Sequence, residues 1–260
     1  YLIDVTKYWI EQYNIDAWRF DVADEVDHGF WRKLCGALRA VKPDVYLLGE
    51  AWHSSQALVS NGQFDAVMNY PLTQPILALF KHELTLKDYV GKTNLQLMQY
   101  RQPNQQVMFN AIDTHDTARL LTVLNNNVDQ VKAALTLLML LPGTPCLYYG
   151  TEVGLAGGPD PDNRRCMPWQ PADQNLDMRA FVTKLVTWRQ SQADFLADSQ
   201  LSWQITADVL GLRRKTAGQT VSGTFNLGQA AVTVSDSQIV LANGLKDSVL
   251  AENGFVLTVD

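Results

Sequence analysis

The sequence lacks the features that mark several special classes of protein. Its richest apolar stretch, 133–141, is short and ends at Pro142-Gly143, whereas a membrane-spanning helix needs about 18 or more apolar residues. The three cysteines, Cys35, Cys146 and Cys166, lie far apart and form no C-x-x-C pair. We therefore expect no membrane span, no disulfide framework and no zinc site, and we expect free thiols in a reducing compartment.

The charge pattern also excludes a partner class. The formal net charge is -6, and acidic and basic residues are scattered along the chain. No basic stripe is present that could neutralise a phosphate backbone, which argues against nucleic acid and favours a neutral ligand. There is no internal repeat or low-complexity tract. With 260 residues, of which 47% are hydrophobic, the chain can bury the core of about one barrel-sized domain.

The chain begins with Tyr1 instead of Met, and the apolar residues that follow have helical spacing. Leu2, Val5, Trp9 and Tyr13 fall on one face of a helix that is already under way. We expect a truncated chain, which gives no view of a signal peptide. The tryptophans at 9, 18 and 31 are predicted to pack in the core.

The first two-thirds of the sequence alternates short apolar runs with helical patterns, which is typical of βαβ units and a parallel sheet. The predicted strands lie near 15–21, 45–50, 64–68, 106–112 and 145–149. The predicted helices lie at 27–42, 73–82, 86–99, 128–141 and 176–192. Five strands are too few for a closed eight-stranded barrel.

From about Phe195 the pattern changes to short alternating runs separated by turn residues. Asn243-Gly244 and Asn253-Gly254 are examples of such turns, and they are typical of antiparallel hairpins. We therefore divide the chain into an α/β part, 1–194, and a small antiparallel β-domain, 195–260.

Charged residues stand where the predicted strands end. In a parallel barrel the carboxyl ends of the strands meet at one face, and the loops there build a shared pocket. Arg19 and Asp21 are two residues apart, so both side chains point to the same face of their strand. A guanidinium beside a carboxylate keeps that carboxylate ionised, which suits a nucleophile. An ordinary structural Arg–Asp pair is the alternative.

Two further strands end in acidic residues. The run Val45-Tyr-Leu-Leu-Gly leads into Glu50, with aromatic and apolar neighbours that raise the pKa of a carboxyl, as a proton donor requires. The strand that starts near Gln106 leads into His115 and Asp116. Three acids at three strand ends predict a catalytic site. Two carboxyls about 5–5.5 Å apart retain the anomeric configuration of a glycoside and a wider gap inverts it, a choice that the sequence leaves open.

Several stretches together resemble the α-amylase superfamily of glycoside hydrolases, and within it the cyclomaltodextrinase, neopullulanase and maltogenic amylase branch. DAWRFDVADEVDH at 16–28, LLGEAWH at 47–53 and FNAIDTHDTAR at 109–119 look like three of its conserved regions, in order. GGPDPDNRRCMPW at 157–169 is similar to a stretch that distinguishes this branch. The resemblance covers most of residues 1–170.

The resemblance implies Asp21 as the nucleophile and Glu50 as the acid and then the base. It implies Asp116 as the residue that binds ring hydroxyls and stabilises the transition state, with Arg19 and His115 assisting. A second set of residues would bind the sugar chain on either side of the cleaved bond. Those on the leaving-group side are Glu25, Trp52 and His53, and those on the non-reducing side are Asp160 and Arg164.

The fold implied is the later part of a (β/α)8 TIM barrel followed by a small antiparallel β-sandwich domain, with the first three barrel strands upstream of Tyr1. The implied substrates are maltooligosaccharides, cyclodextrins or pullulan, cleaved at α-1,4 and in some cases α-1,6 bonds. No cofactor is expected within the chain, and a calcium site is left open for the upstream part. The branch and the free cysteines favour a cytoplasmic location, and a homodimer is left open for the parent enzyme.

Two alternatives remain at this point. A 4-α-glucanotransferase would share the acids and differ in how well the acceptor side favours sugar over water. A non-catalytic amylase-like fragment that needs its upstream half is the other alternative, although such proteins usually lose the acids that are present here.

Overall fold

The computed structural model describes residues 1–53, 55–60, 62–234 and 238–260. Its first part is built on short parallel strands. In chain order they are β1 (Ala17–Phe20), β2 (Tyr46–Gly49), β3 (Ala66–Val67), β4 (Phe109–Ala111) and β5 (Thr144–Cys146). Strands β1, β2 and β3 pair in parallel, as do β4 and β5, and a parallel bridge between Met68 and Phe109 joins the two groups. The five predicted strands are therefore confirmed as one parallel array.

Helices separate the strands and cover the array. They are α1 (Leu2–Tyr13), α2 (His28–Val41), α3 (Tyr70–Phe80), α4 (Leu86–Met98), α5 (Gln102–Val107), α6 (Leu120–Val123), α7 (Val128–Leu140), α8 (Leu176–Ser191) and α9 (Ala193–Asp198). Asp27, Asn127 and Asn175 cap α2, α7 and α8 by accepting hydrogen bonds from backbone N–H groups of the first turn. No helix in the described ranges is long and apolar enough to span a lipid bilayer.

The connection from α7 to β5 depends on one glycine. Gly143 has φ +114°, and a Cβ at this position would lie 2.5 Å from Nδ2 of Asn110. Only glycine combines that backbone conformation with that close approach. Pro142-Gly143 therefore ends α7 and turns the chain directly into β5, as the sequence predicts.

Two predictions about the first part are wrong. The strand predicted to begin near Gln106 begins at Phe109, because Gln106 and Val107 form the end of α5. Pro103 lies in the first turn of α5, where proline favours the start of a helix. Trp9 is 43% exposed, since α1 packs through Ile10 while Trp9 forms an outer aromatic cluster with Tyr8 and Tyr13. Trp31 is buried and Trp18 is half-buried, as predicted.

The last part of the chain is an antiparallel sheet. Its strands are β6 (Gln200–Thr206), β7 (Val209–Lys215), β8 (Thr220–Asn226), β9 (Val232–Thr233), β10 (Gln238–Lys246) and β11 (Val249–Val259). The order is β10-β11-β8-β7-β6, and β9 pairs with β11. The predicted small antiparallel β-domain is confirmed, and helix α7 packs against β8, β10 and β11 as the layer next to this sheet.

The buried apolar side chains of the described ranges form two clusters. One lies between β1–β3 and α2, with Trp31, Leu47 and Phe64 among its members. The other is centred on α7 and combines residues of α3, α7 and α8 with Leu212 and Phe255 of the sheet. Helix α7 is buried on nearly every side, from Val131 to Leu140. The antiparallel sheet thus shares its core with the helices of the first part.

Candidate active site

Arg19, Asp21 and Glu50 meet at the carboxyl ends of β1 and β2. The ladder between the two strands continues past their ends, since the N–H of Glu50 donates to the carbonyl of Phe20 at 2.8 Å. Nη2 of Arg19 lies 2.8 Å from Oε1 of Glu50, and Nη1 of Arg19 forms an ion pair with Asp21. One guanidinium therefore binds both predicted catalytic carboxyls.

The two carboxyls have different environments. The side chain of Asp21 is 70% exposed and that of Glu50 is 6% exposed. Burial raises the pKa of Glu50, although the N–H of Val22 donates to its Oε2 at 3.0 Å. A hydrogen bond from Glu50, followed by one from Arg19, lowers the pKa of Asp21. The pair thus favours an ionised Asp21 and a protonated Glu50, which is the division of roles between a nucleophile and a proton donor.

Asp116 lies in a second polar cluster, in the loop that follows β4. Its Oδ2 is 3.0 Å from Nε2 of His115, and its Oδ1 is 3.4 Å from Nη2 of Arg164. Nε of Arg164 is also 2.7 Å from Oδ1 of Asp160. The structure brings together four predicted site residues, and His115 contributes to the lowered pKa of Asp21, which connects this cluster to the first.

Trp52 and Tyr70 form a stacked pair beside the acids. Their rings are 4.1 Å apart at an angle of 3°, and Trp52 is 37% exposed. The hydroxyl of Tyr70 is 3.5 Å from Oγ1 of Thr114, and the charges of Glu50 and Asp116 add to the burial that raises its pKa. Tyr70 was not predicted as a site residue. The signal for it is its position directly after the strand in FDAVMNYPL at 64–72.

Two predicted residues, Glu25 and His53, are exposed. Glu25 ends the short 3-10 turn Ala23–Glu25 that follows β1, and its side chain is exposed. His53 follows Trp52 and is also exposed, and its carbonyl accepts a hydrogen bond from Ser55 at 2.8 Å. Within the described residues, neither side chain forms an ion pair with Asp21, Glu50 or Asp116.

Below the acids, the inward-facing residues of the strands line a cavity of 580 Å³. Alternate residues of a strand point to the same side, and β1, β2 and β4 each contribute such a pair of side chains to it. These include Ala17 and Arg19 of β1, Tyr46 and Leu48 of β2, and Phe109 and Ala111 of β4. The cavity is continuous with the site through Arg19 and His115.

Buried polar residues support the loops, and sequence reasoning did not find them. Asp113 is 2% exposed and accepts hydrogen bonds from the N–H of Leu120 at 3.0 Å and the hydroxyl of Thr151 at 2.8 Å. Arg119 and Asn163 are wholly buried and donate only to backbone carbonyls. In the described parts of the chain, no group of three or more His, Cys, Asp or Glu side chains is arranged to hold a metal ion.

Acidic side chains lie at the carboxyl ends of the parallel strands, and alternate strand residues line a cavity next to them. This arrangement defines the site of a barrel enzyme. Comparison with known proteins gives the family. The model of the α-amylase catalytic domain matches residues 1–197, and the chain belongs to this family. The predicted resemblance and the later part of a (β/α)8 barrel followed by a β-domain are thereby confirmed.

The relatives carry the names of the predicted branch. Over 209 residues the chain is 41% identical to the intracellular maltogenic amylase of Bacillus subtilis, a match that covers 80% of this chain and 36% of that protein. It is 43% identical to a cyclomaltodextrinase of Geobacillus thermopakistaniensis, covering 73% and 32%. It is 37% identical to neopullulanase 2 of Thermoactinomyces vulgaris, covering 78% and 35%. The chain thus spans about a third of the length of these relatives.

A solved structure supports the fold along the whole chain. The cyclic α-maltosyl-(1→6)-maltose hydrolase of Arthrobacter globiformis superposes with a TM-score of 0.88 at 27% identity. The match covers 99% of this chain and 58% of that one. The parallel strands and the antiparallel sheet are therefore shared as one arrangement.

Proposed function

We propose that the protein is a retaining glycoside hydrolase that cleaves α-glucosidic bonds. The observation that carries this proposal is the contact of Arg19 with both Asp21 and Glu50, combined with the opposite directions of the two carboxyl pKa shifts. Both carboxyls contact the same guanidinium, so they lie close together, as a retaining mechanism requires of its nucleophile and proton donor. This closeness supports retention.

In the proposed reaction, the carboxylate of Asp21 attacks the anomeric carbon while Glu50 donates its proton to the glycosidic oxygen, which leaves with the bonding electrons. A glucosyl ester of Asp21 results. Glu50, now ionised, removes a proton from water, and this water hydrolyses the ester and frees Asp21. Asp116 binds ring hydroxyls and stabilises the positive charge that develops on the sugar.

The remaining site residues are assigned to sugar binding. Trp52 offers an exposed ring that Tyr70 holds by stacking, which suits the leaving-group side. We place His53 and Glu25 on that side as well. Asp160 and Arg164 form the other side, and their ion pair orients Arg164 toward Asp116.

The proposed substrates are α-glucan oligosaccharides: maltooligosaccharides, cyclodextrins or pullulan. The names of the relatives support this class, and the (1→6) linkage in the name of the Arthrobacter hydrolase supports a reaction at α-1,6 bonds beside α-1,4 bonds. A cytoplasmic location stays a prediction, supported by the word intracellular in one relative's name and by three free cysteines. Dimerisation and the need for an upstream half also remain predictions.

The test is hydrolysis of β-cyclodextrin and maltotriose, with the anomer of the first product followed by NMR. It is performed with this chain, with the protein at its full natural length, and with the full-length Asp21→Asn variant. Initial release of the α-anomer by the full-length protein, abolished by Asp21→Asn, is expected. Turnover that is dominated by longer oligosaccharides would assign a glucanotransferase, and no turnover by either length would refute the catalytic proposal.

A further inference from the structure

The turn that carries His115 and Asp116 is held by one buried side chain from another loop. Nδ2 of Asn163 lies 2.7 Å from the carbonyl oxygen of His115, 2.8 Å from that of Thr117 and 3.3 Å from that of Thr114. From this geometry we infer that Asn163 is a positioning residue for Asp116. The inference deepens the proposed function and rests on the role of Asp116 in it.

The contact uses the full donor capacity of the amide. An Asn side chain has two N–H hydrogens, and here they serve three carbonyls of a single turn. Asn163 is 0% exposed, and its Oδ1 has no hydrogen-bond partner in the described parts of the chain. The side chain therefore acts through donation alone. Without it, buried carbonyls would lose their partners, and the turn would relax toward other donors.

The same loop also sets the partners of the Asp116 carboxylate. Arg164 follows Asn163 directly, and its Nε donates to the carbonyl of His115 at 3.0 Å while its Nη2 approaches Asp116 at 3.4 Å. The carbonyl of His115 thus receives hydrogen bonds from two consecutive residues. A shift of Asn163 would move Arg164 relative to Asp116, and it would move His115, which lies 3.0 Å from the same carboxylate.

The backbone of Asn163 is itself held by contacts with Arg119 and Gly157, so it has little room to compensate for a change in the turn. Nε of the wholly buried Arg119 donates to the carbonyl of Asn163 at 2.7 Å. The guanidinium carbon of Arg119 lies 4.0 Å from the ring centroid of Tyr148, which holds it in place. On the other side, a Cβ at Gly157 would come within 2.8 Å of the Cα of Asn163.

The chain contains a matched control for this contact. Asn226, at the end of β8, is 1% exposed, and its Nδ2 also serves three carbonyls, those of Ala230 at 2.9 Å, Ala251 at 3.0 Å and Leu250 at 3.1 Å. Residue type, burial and number of acceptors are the same. The carbonyls differ, because those around Asn226 belong to strands and turns of the β-domain. The Oδ1 atoms differ as well, since that of Asn226 accepts a hydrogen bond from the N–H of Gly228 at 3.1 Å.

The experiment compares Asn163→Ala with Asn226→Ala in the full-length protein. Both variants should lose a similar amount of stability in urea. We expect kcat on β-cyclodextrin to fall about 10- to 100-fold for Asn163→Ala, the scale of a displaced catalytic group, with KM changed less than about threefold, since Asp116 acts mainly in the transition state. Asn226→Ala should leave kcat per folded molecule unchanged.

A second variant supplies a pH readout. Asn163→Asp places a carboxylate against three carbonyl oxygens, and only its protonated form can donate a hydrogen bond. Burial raises the pKa of such a carboxyl, so the ratio of variant kcat to wild-type kcat should rise as the pH is lowered. A flat ratio across the pH range, or equal kcat losses in Asn163→Ala and Asn226→Ala, would overturn the inference.

Hydrogen exchange separates this inference from the proposed function. The backbone amides of Asp116 and Thr117 bond within the turn, and they should exchange faster in Asn163→Ala than in Asn226→Ala whether or not the protein hydrolyses glucans. An inactive wild-type protein with this exchange pattern would refute the glucanase proposal and leave the positioning contact in place. Unchanged exchange in the turn would refute the positioning contact itself.

Discussion

Two regions of the molecule each contain a buried arginine and a buried asparagine, and the two regions use these residue types for different purposes. In the loops around the site, Arg119 and Asn163 donate to backbone carbonyls, and in the β-domain Arg214 and Asn226 do the same. All four side chains are 2% exposed or less. In both regions, buried polar side chains tie together chain segments that are distant in sequence.

The two regions differ in the chain segments to which the bound carbonyls belong. Arg214 donates to the carbonyl of Leu140 at 2.6 Å, and it also donates to those of Leu196 and Ser199. It therefore caps the C-terminal ends of α7 and α9. Burial, followed by the charge of Arg189, lowers its pKa to about 10. Arg119 instead binds the loops that hold Tyr149 and Asn163. Buried donors to backbone carbonyls therefore stabilise a domain in one region and hold the loops of the proposed catalytic site in the other.

The largest contrast between the regions should come from removing a proton donor. Glu50→Gln keeps the shape of the side chain and abolishes its acid, so we expect kcat on β-cyclodextrin to fall about 10²- to 10⁴-fold. The matched control is Glu252→Gln at an exposed position of β11 in the β-domain, which should retain wild-type kcat. Steady-state kinetics of both full-length variants check this. A Glu50→Gln enzyme with more than a tenth of wild-type activity would contradict the assigned role.

The two buried arginines test the comparison directly. Arg119→Met and Arg214→Met each remove charged hydrogen bonds to buried carbonyls, and each should lower the free energy of unfolding by about 3 kcal/mol. Urea denaturation measures that loss. Activity per folded molecule should fall only for Arg119→Met, because its carbonyl partners belong to the site loops. If Arg214→Met lowers kcat as strongly, the two regions do not differ as proposed.

The pH dependence of activity should respond to Arg19 and not to a surface arginine. The proposed mechanism requires Asp21 ionised and Glu50 protonated, so activity should be lost below the pKa of Asp21 and above the pKa of Glu50. Arg19 contributes to lowering both values, and Arg19→Met should therefore shift both limbs of the kcat/KM profile to higher pH. Arg213→Met, at an exposed position of β7, serves as the control with an unchanged profile. A profile that narrows or moves to lower pH would be inconsistent with this arrangement.

The smallest effect is expected at a hairpin of the β-domain. Ala207 joins β6 to β7 with φ +49°, a conformation that costs about 1 kcal/mol or more for a residue with a Cβ. Ala207→Gly should stabilise the protein by roughly 0.5 kcal/mol after the entropy gained by the unfolded chain is subtracted. The comparison variant is Ala251→Gly, within β11, which should destabilise it. Thermal unfolding measures both changes, and kcat should not change in either.

The sequence was sufficient for those parts of the site that local patterns encode. Arg19 and Asp21 share a strand face because of a period of two, and Glu50 and Asp116 follow apolar runs that end at the same edge of a parallel array. The five predicted strands and the five helices predicted between and after them follow from the same periodicity. Gln106 and Val107 were wrongly assigned to a strand, because a short helical turn with few apolar residues carries little periodic signal.

The supporting residues could not be predicted, because their partners are distant in sequence. Asn163 binds carbonyls 46 to 49 residues away, and backbone carbonyls have no sequence signature. Tyr70 contacts Thr114 across 44 residues. Their roles depend on how the loops pack, and the packing appears only in the folded chain.

Helix α7 has a consequence for how the two parts stay together. Its buried surface faces α3 and α8 on one side and β8, β10 and β11 on the other, within a single apolar cluster. If a protease cut the chain between α9 and β6, the two pieces would still share this cluster, and separating them would expose α7 along its length to water. The peptide connection at Ser199 joins the two parts covalently, but the packing around α7 is what holds them against each other. Heating should therefore melt the sheet and the helices around α7 in one step.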